Sequence, residues 1–229
     1  MLRYCKRSGV ISFQETEDTL TMIYLAVFLI LLFPCFKYDV FVKKGGEGIW
    51  YQVCLWTLIC LAAFRYRTGG DSLIYQDIFE YYPTIPELSD FDFADAEYNP
   101  MWYVYNSIFK SLGNSFFLFQ LCQAIFVNVT IFRFLFRYCS RFFLAVLVYY
   151  VGYYFYYNME IQREIICICI FLISYPLLEE NRYFPYYLLT LLAISFHVSA
   201  LFCMFFICWM VFSFNCPTPS KLVSLLISS

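Results

Sequence analysis

Long apolar blocks alternate with short polar joints along this chain. Apolar side chains lie all around each block, so a helix built from it would have no polar face for water. Several blocks are shorter than the ~20 residues that span hydrocarbon, and Tyr-rich flanks extend them into the interface. The pattern predicts an all-α fold, a multi-pass transmembrane helical bundle of about six or seven spanning segments. The blocks are 20–36, 49–64, 115–132, 142–157, 165–178, 184–196 and 198–213.

Composition supports a membrane protein. Of the 229 residues, 62% are hydrophobic and 14% are charged, whereas soluble domains carry about a quarter charged residues. The formal net charge is −2 and no basic stripe is present, so we expect the lipid bilayer as a partner and no nucleic acid. Most of the 11 cysteines lie in apolar blocks without a Cys-x-x-Cys spacing, so we expect no disulfide framework, no metal site and no cofactor.

Charges in the joints predict the orientation of the chain in the membrane. Lys and Arg residues concentrate in joints 37–48 and 133–141, which the positive-inside rule places in the cytoplasm. Joint 65–114 then becomes one long external loop. The last two blocks are expected to form a hairpin, with one kinked helix over 183–212 as the alternative.

The two ends of the chain complete the predicted organisation. We expect an N-terminal extension at 1–19, whose Arg and Lys residues conflict with an external position, and translation from Met22 would remove that conflict. A transmembrane domain is expected over 20–213. Residues 214–229 are expected to be a tail or the start of a truncated further segment.

Unusual polar residues concentrate in the joints that are predicted to be external. The stretch "FRYRTGGDSLIYQDIFE" follows the second block, "DFADAEYNPMW" lies further along the same joint, "NMEIQRE" opens the fifth block, and "AISFHVSALF" contains the only histidine. Ionisable residues at membrane segments are costly to bury and commonly functional. The candidates are Arg65, Arg67, Gly70, Asp71, Glu97, Asn99, Glu160, Arg163, His197 and Ser199.

Each candidate also has a structural explanation. Arg163 could reach the interface from an apolar helix, His197 could be a hydrogen-bonded structural residue, and Asp71 could end a glycine turn. The functional alternative is chemical: an arginine fork binds phosphate, and a histidine accepts a proton near neutral pH. Together they suit a lipid-linked phosphate or pyrophosphate donor that is attacked by a hydroxyl group.

The order of these motifs resembles the EpsG family of Wzy-like polysaccharide polymerases. "FRYRTGGDS", "E-x-N-P-M-W", "N-x-x-x-x-R-E" and "A-I-S-F-H-V-S-A-L" follow one another within residues 22–213. The resemblance implies a multi-pass protein of the bacterial cytoplasmic membrane. It further implies a glycosyltransferase-type enzyme that polymerises undecaprenyl-pyrophosphate-linked oligosaccharide repeat units at the outer face, for exopolysaccharide, capsule or O-antigen. Other polysaccharide export or assembly proteins are implied partners.

The resemblance also implies roles for individual residues. Arg163, with Arg67, would hold the pyrophosphate, and His197 or Asp71 would be the base for the acceptor hydroxyl. Substrate-binding residues would be Arg67, Gly70, Glu97, Asn99 and Ser199, and rim aromatics Tyr98, Trp102 and Tyr103 could stack on sugar rings. This chain has Glu164 after Arg163, where glutamine is commoner in the family.

Three other functions compete with a polymerase. A transporter of lipid-linked sugars would line its path with charges, whereas the interiors of these blocks carry almost none. A membrane acyltransferase would also use a histidine, but no second acid or Asn is adjacent to His197 in the sequence. A non-catalytic subunit or fragment of a polysaccharide assembly system is the remaining alternative.

Overall fold

The computed structural model describes residues 19–65, 72–93 and 97–202, and every regular element in these ranges is helical. The predictions for residues 1–18, 66–71 and 214–229 therefore lie outside the described residues, as does most of block 198–213. The helices are α1 (Thr19–Val40), α2 (Glu47–Ala63), α3 (Ser72–Phe79), α4 (Pro100–Gly113), α5 (Phe116–Tyr138), α6 (Phe142–Tyr149), α7 (Gln162–Glu179) and α8 (Tyr183–Phe196).

Wider and tighter turns extend some of these helices. α1 ends in a π-helical stretch, and α6 continues through two more as far as Glu160. Short 3₁₀ turns occupy Pro86–Ser89 and Val198–Ala200. The first six apolar blocks of the sequence each coincide with a helix, so their prediction as helices is confirmed.

Two described helices, α1 and α5, are long and apolar enough to cross a membrane by length and composition. The apolar helices α2 and α8 and the continued helix Phe142–Tyr154 are shorter. At about 1.5 Å per residue, the 14 residues of α8 reach only about 21 Å. The all-α fold is thus confirmed, while a bundle with six or seven spans stays a prediction.

The chain divides into two compact units, neither of which is contiguous in sequence. The first unit contains residues 1–75 and 117–160. In it, the ring of Tyr51 on α2 stacks on Phe142 and meets Phe132 of α5 edge to face. The Asn128 amide donates to the Asn158 carbonyl oxygen at 3.0 Å, and the Asn158 amide donates to the Tyr149 hydroxyl at 2.8 Å. Buried amides thereby join α5 to the continuation of α6.

The second unit contains residues 76–116 and 161–229 and is built around α4, α7 and α8. The Cys167 thiol on α7 donates to the Ala193 carbonyl of α8 at 3.1 Å. Tyr105 of α4 meets Phe196 at the end of α8 edge to face. The three helices therefore pack around small and aromatic side chains rather than around charges.

The joint 65–114 is not one long loop. It contains α3, the turn Pro86–Ser89 and the 14-residue helix α4. α4 begins as its sequence favours, with Asn99 at the N-cap and Pro100 in the first turn. Its buried residues are Trp102, Tyr103, Asn106 and Ser107, and this mixed face hid the helix from a search for apolar blocks.

The break between the last two apolar blocks lies at His197. Helix α8 ends at Phe196, and His197 is extended, with φ −157° and ψ 136°. A single helix continuing through 183–212 is therefore wrong. A hairpin stays a prediction, because its second arm lies beyond residue 202.

Candidate functional site

Residues from three of the four polar stretches of the sequence meet within the second unit. The Asn99 amide donates to the Ile194 carbonyl at 2.9 Å. The guanidinium of Arg163 lies 4.2 Å from the ring centroid of Tyr98. His197 and Glu164 approach to 3.7 Å. The start of α4, the start of α7 and the end of α8 are thereby linked to one another.

The position of Arg163 in the fold is typical of a residue that binds an anion. It is the second residue of α7, where backbone N–H groups lack intrahelical partners and the helix dipole favours negative charge. The N-cap residue is Ile161, which has no side-chain oxygen to occupy those groups. The Nε atom of Arg163 is buried without a hydrogen-bond partner, and its guanidinium forms no ion pair with any described residue. The guanidinium carbon lies over the Tyr98 ring, and this cation–π contact restricts the position of the fork.

His197 lies between a hydroxyl group and a carboxylate. Its Nδ1 is 2.8 Å from the Ser199 Oγ and accepts the backbone N–H of Ser199 at 3.3 Å. Since a backbone N–H can only donate, Nδ1 is unprotonated and the ring proton of a neutral His197 lies on Nε2. The Nε2 atom faces the Glu164 Oε1. At 3.7 Å the two are too far apart for a direct hydrogen bond, so a substrate hydroxyl can reach both.

The amide nitrogen of Asn99 has a structural role, because it bonds to a backbone carbonyl group and not to a ligand. Ile194 is in the last turn of α8, whose carbonyl groups have no partner within the helix. The Asn99 amide satisfies one of them and ties the start of α4 to the end of α8. Glu97, two residues earlier, is exposed, and its role in sugar binding stays a prediction.

Two of the predicted rim aromatics are buried. Trp102 is 1% exposed and donates from Nε1 to the Tyr82 hydroxyl at 2.7 Å, and Tyr103 is 8% exposed. Neither can stack on a sugar ring, because an indole or phenol ring needs an accessible face to do so. Burial also raises the pKa of Tyr82, which excludes it as a base at neutral pH. Tyr98, half-buried and next to Arg163, remains as an aromatic at the site.

Sequence reasoning missed the position of Glu164. It was grouped with Arg163, but its carboxylate faces His197. No acid is adjacent to His197 in the sequence, but Glu164 lies next to it in the fold. The argument from sequence neighbours is therefore wrong. Glu164 lies at the start of α7 and His197 directly follows α8. Because α7 packs against α8, these two positions lie at the same end of the helix pair, and only this packing identifies the contact.

Of the candidate residues in the fourth stretch, "FRYRTGGDSLIYQDIFE", only Arg65 is described, and it lies in the first unit. Arg67, Gly70 and Asp71 lie outside the described residues, so their predicted roles stay predictions. In the described ranges, no group of three or more His, Cys, Asp or Glu side chains could hold a metal ion. The seven cysteines described in the structure are free thiols.

Comparison with known families shows which family the chain belongs to. The model of the EpsG family matches residues 48–229, most of the chain. The chain belongs to the EpsG family. The match includes the EpsG segments that carry Arg163, Glu164 and His197. No curated protein and no solved structure matches the chain.

Membership in the EpsG family implies a polysaccharide-related, polymerase-type function. With the apolar helices α1 and α5, it indicates a membrane protein of polysaccharide biosynthesis. The resemblance drawn from the four sequence motifs is thereby confirmed as a family relationship.

Proposed function

We propose that this protein polymerises oligosaccharide repeat units carried on undecaprenyl pyrophosphate, at the outer face of the bacterial cytoplasmic membrane. The product would be an exopolysaccharide, capsule or O-antigen. The observation that carries the proposal is the buried, unpartnered Nε of Arg163 at the start of α7, beside the Glu164–His197 pair, in a member of the EpsG family.

The reaction is a glycosyl transfer. A hydroxyl oxygen at the non-reducing end of one lipid-linked glycan forms a bond to the anomeric carbon of the other. The bond from that carbon to the pyrophosphate oxygen breaks, and undecaprenyl pyrophosphate leaves with the bonding electrons. The hydroxyl proton passes to a base of the protein, so atoms and charge balance.

Arg163 serves the leaving group in this scheme. The pyrophosphate gains negative charge as its bond to the sugar breaks, and a guanidinium fork stabilises that charge through paired hydrogen bonds. Stacking on Tyr98 holds the fork in place before the substrate arrives.

Glu164 and His197 serve the attacking hydroxyl. With its ring proton on Nε2, a neutral His197 donates towards the hydroxyl oxygen, and the Glu164 carboxylate accepts the hydroxyl proton. The Ser199 backbone N–H fixes the histidine tautomer. The base in this scheme is therefore Glu164, with His197 as a hydrogen-bond donor that orients the hydroxyl group, whereas the sequence resemblance implied His197 or Asp71 as the base.

The experiment is complementation of a strain that lacks its own polymerase and makes the matching lipid-linked repeat unit. Surface glycan is separated on a gel for wild type, Arg163→Ala, Arg163→Lys and the control Arg182→Ala. Arg182 is exposed and pairs only with Glu180 in the described part of the chain, so its loss leaves the site intact.

Wild type and Arg182→Ala should give a ladder of polymer lengths. Arg163→Ala should give single repeat units, and Arg163→Lys should give a shortened ladder, because lysine keeps the charge and loses the fork. Membrane levels are equalised by immunoblot. A wild-type protein without a ladder, or a full ladder from Arg163→Ala, would contradict the proposal.

A further inference from the structure

A second unpartnered guanidinium lies in the first unit, at Arg65. Arg65 follows the end of α2, and its Nε and Nη1 atoms are buried without a hydrogen-bond partner. No carboxylate of the described chain pairs with it. Burying a cation without a partner is strongly unfavourable, so a ligand or a compensating charge is expected there.

The position of Arg65 is maintained by the neighbouring helix. The Gln120 side-chain amide of α5 donates to the carbonyl oxygens of Ala62, Ala63 and Arg65, at 2.8 to 3.0 Å. This amide satisfies the carbonyl groups that end α2, where the helix itself offers no donors. Burial lowers the pKa of Arg65 only to about 10, so the guanidinium is charged at neutral pH.

Two cavities lined by described residues border Arg65, and the larger of the two can admit a ligand. On the polar side, next to Gln123 and Asn158, the cavity volume is about 10 Å³, which is room for a single water. On the other side, Arg65 borders a groove of about 780 Å³ between α1 and α2. Pockets that bind small molecules have volumes of about 300–1,000 Å³.

The groove is lined almost entirely by apolar side chains. α1 contributes Leu20, Ile23 and Val27, and α2 contributes Val53, Trp56 and Leu61. Several are exposed large hydrophobics, Ile23 at 43% and Trp56 at 52% among them. An apolar groove bordered by one buried cation matches an amphiphile with one hydrocarbon chain and an anionic head group.

We propose that the groove between α1 and α2 binds the chain of a polyprenyl lipid, and that Arg65 binds its pyrophosphate. The inference rests on the proposed function, because a reaction between two lipid-linked glycans requires two pyrophosphate sites. Arg163 in the second unit serves one lipid, and Arg65 in the first unit serves the other. Gln120 is a positioning residue for this second site.

Native mass spectrometry of the full chain tests the proposal by counting bound lipids. Undecaprenyl pyrophosphate is titrated into wild type, Arg65→Gln, Arg163→Ala, the double variant and the control Arg137→Gln, an exposed arginine near the end of α5. Wild type and Arg137→Gln should bind two molecules, each single variant one, and the double variant none. Undecaprenol, which lacks the anion, should bind the Arg65 site about tenfold more weakly or worse.

Two bound molecules in Arg65→Gln would overturn the proposal and leave the proposed function standing. Competition by phosphatidylglycerol as effective as by undecaprenyl pyrophosphate would also overturn it, since the groove would then be an ordinary lipid site. A wild type that binds no undecaprenyl pyrophosphate overturns the inference, and the glycan ladder separately decides the proposed function.

Folding of the variant is checked by thermal unfolding. Arg65→Gln removes an unpaired buried charge, so its melting temperature without lipid should equal or exceed that of wild type. Arg65→Lys is the second variant, which keeps the charge and loses the fork. It should bind the second lipid more weakly than wild type and more tightly than Arg65→Gln.

Discussion

Glu164 has the same charge as many surface residues, but its position next to His197 gives it a specific task. Its Oε1 lies 3.7 Å from Nε2, and the opposite nitrogen of the ring accepts from Ser199. The side chain of Glu164 is 38% exposed and that of His197 is 22% exposed, so a substrate can reach both. We therefore expect proton transfer to depend on the carboxylate and not only on the imidazole.

Glu164→Gln should lower polymerase activity by about a hundredfold, a typical loss for a general base. Glutamine keeps the size and hydrogen-bonding capacity of the side chain but cannot take a proton from the hydroxyl. The measurement is polymer formed per unit time in membranes supplied with lipid-linked repeat units. Glu179→Gln, at the opposite end of α7, is the matched control and should retain wild-type activity. An unchanged rate in Glu164→Gln would show that the carboxylate is not the base.

Helix ends, rather than helix interiors, bring the polar residues together. The start of α4 meets the end of α8 through Asn99 and Ile194, and the start of α7 faces the end of α8 through Glu164 and His197. Helix ends have unsatisfied backbone groups that side chains or ligands must complete. In this unit, the Asn99 amide completes one such carbonyl group, that of Ile194.

Asn99→Asp should destabilise the second unit by about 1–3 kcal/mol, because a carboxylate oxygen would replace the donor that faces the Ile194 carbonyl. Thermal unfolding of the detergent-solubilised protein, monitored by thiol reactivity of its buried cysteines, measures the change. Asn181→Asp is the control, because Asn181 uses its oxygen to accept from the Tyr183 hydroxyl and aspartate keeps that acceptor. Equal melting temperatures for Asn99→Asp and wild type would show that Asn99 does not stabilise the second unit.

The placement of the whole chain in a membrane rests on its charge pattern. α1 and α5 are long and apolar enough to cross a membrane, and Lys and Arg concentrate in joints 37–48 and 133–141, which are predicted to lie on the same side. The proposed function needs the second unit's site on the outer face, because polymerisation is proposed there.

Glu87→Cys should react with a membrane-impermeant maleimide in intact spheroplasts, and Lys44→Cys should react only after permeabilisation. Both positions are exposed, so accessibility to the reagent reports the side of the membrane. Wild type, with its native cysteines, gives the background labelling. The reverse pattern would place the Arg163 site in the cytoplasm and contradict the proposed outer-face reaction.

The helices of this protein were predictable because each long apolar block marks a segment that is removed from water. Six of the blocks became helices with ends within a few residues of those expected. α4 was not predicted, because it is amphipathic rather than uniformly apolar: its buried face includes Asn106 and Ser107, so no continuous apolar block marks the helix. The family was also predictable, since four short motifs in a fixed order are local in sequence.

The pairing of residues was decided only by packing. Sequence order placed Glu164 beside Arg163, whereas the packing of α7 against α8 places it opposite His197. The sequence marked Arg65 only as one charge among several near two glycines, whereas the fold buries its Nε and Nη1 without partners at the edge of an apolar groove. Residue type and local pattern thus establish the helices and the family. Burial and distance depend on contacts between segments far apart in the chain, and these are absent from any local pattern.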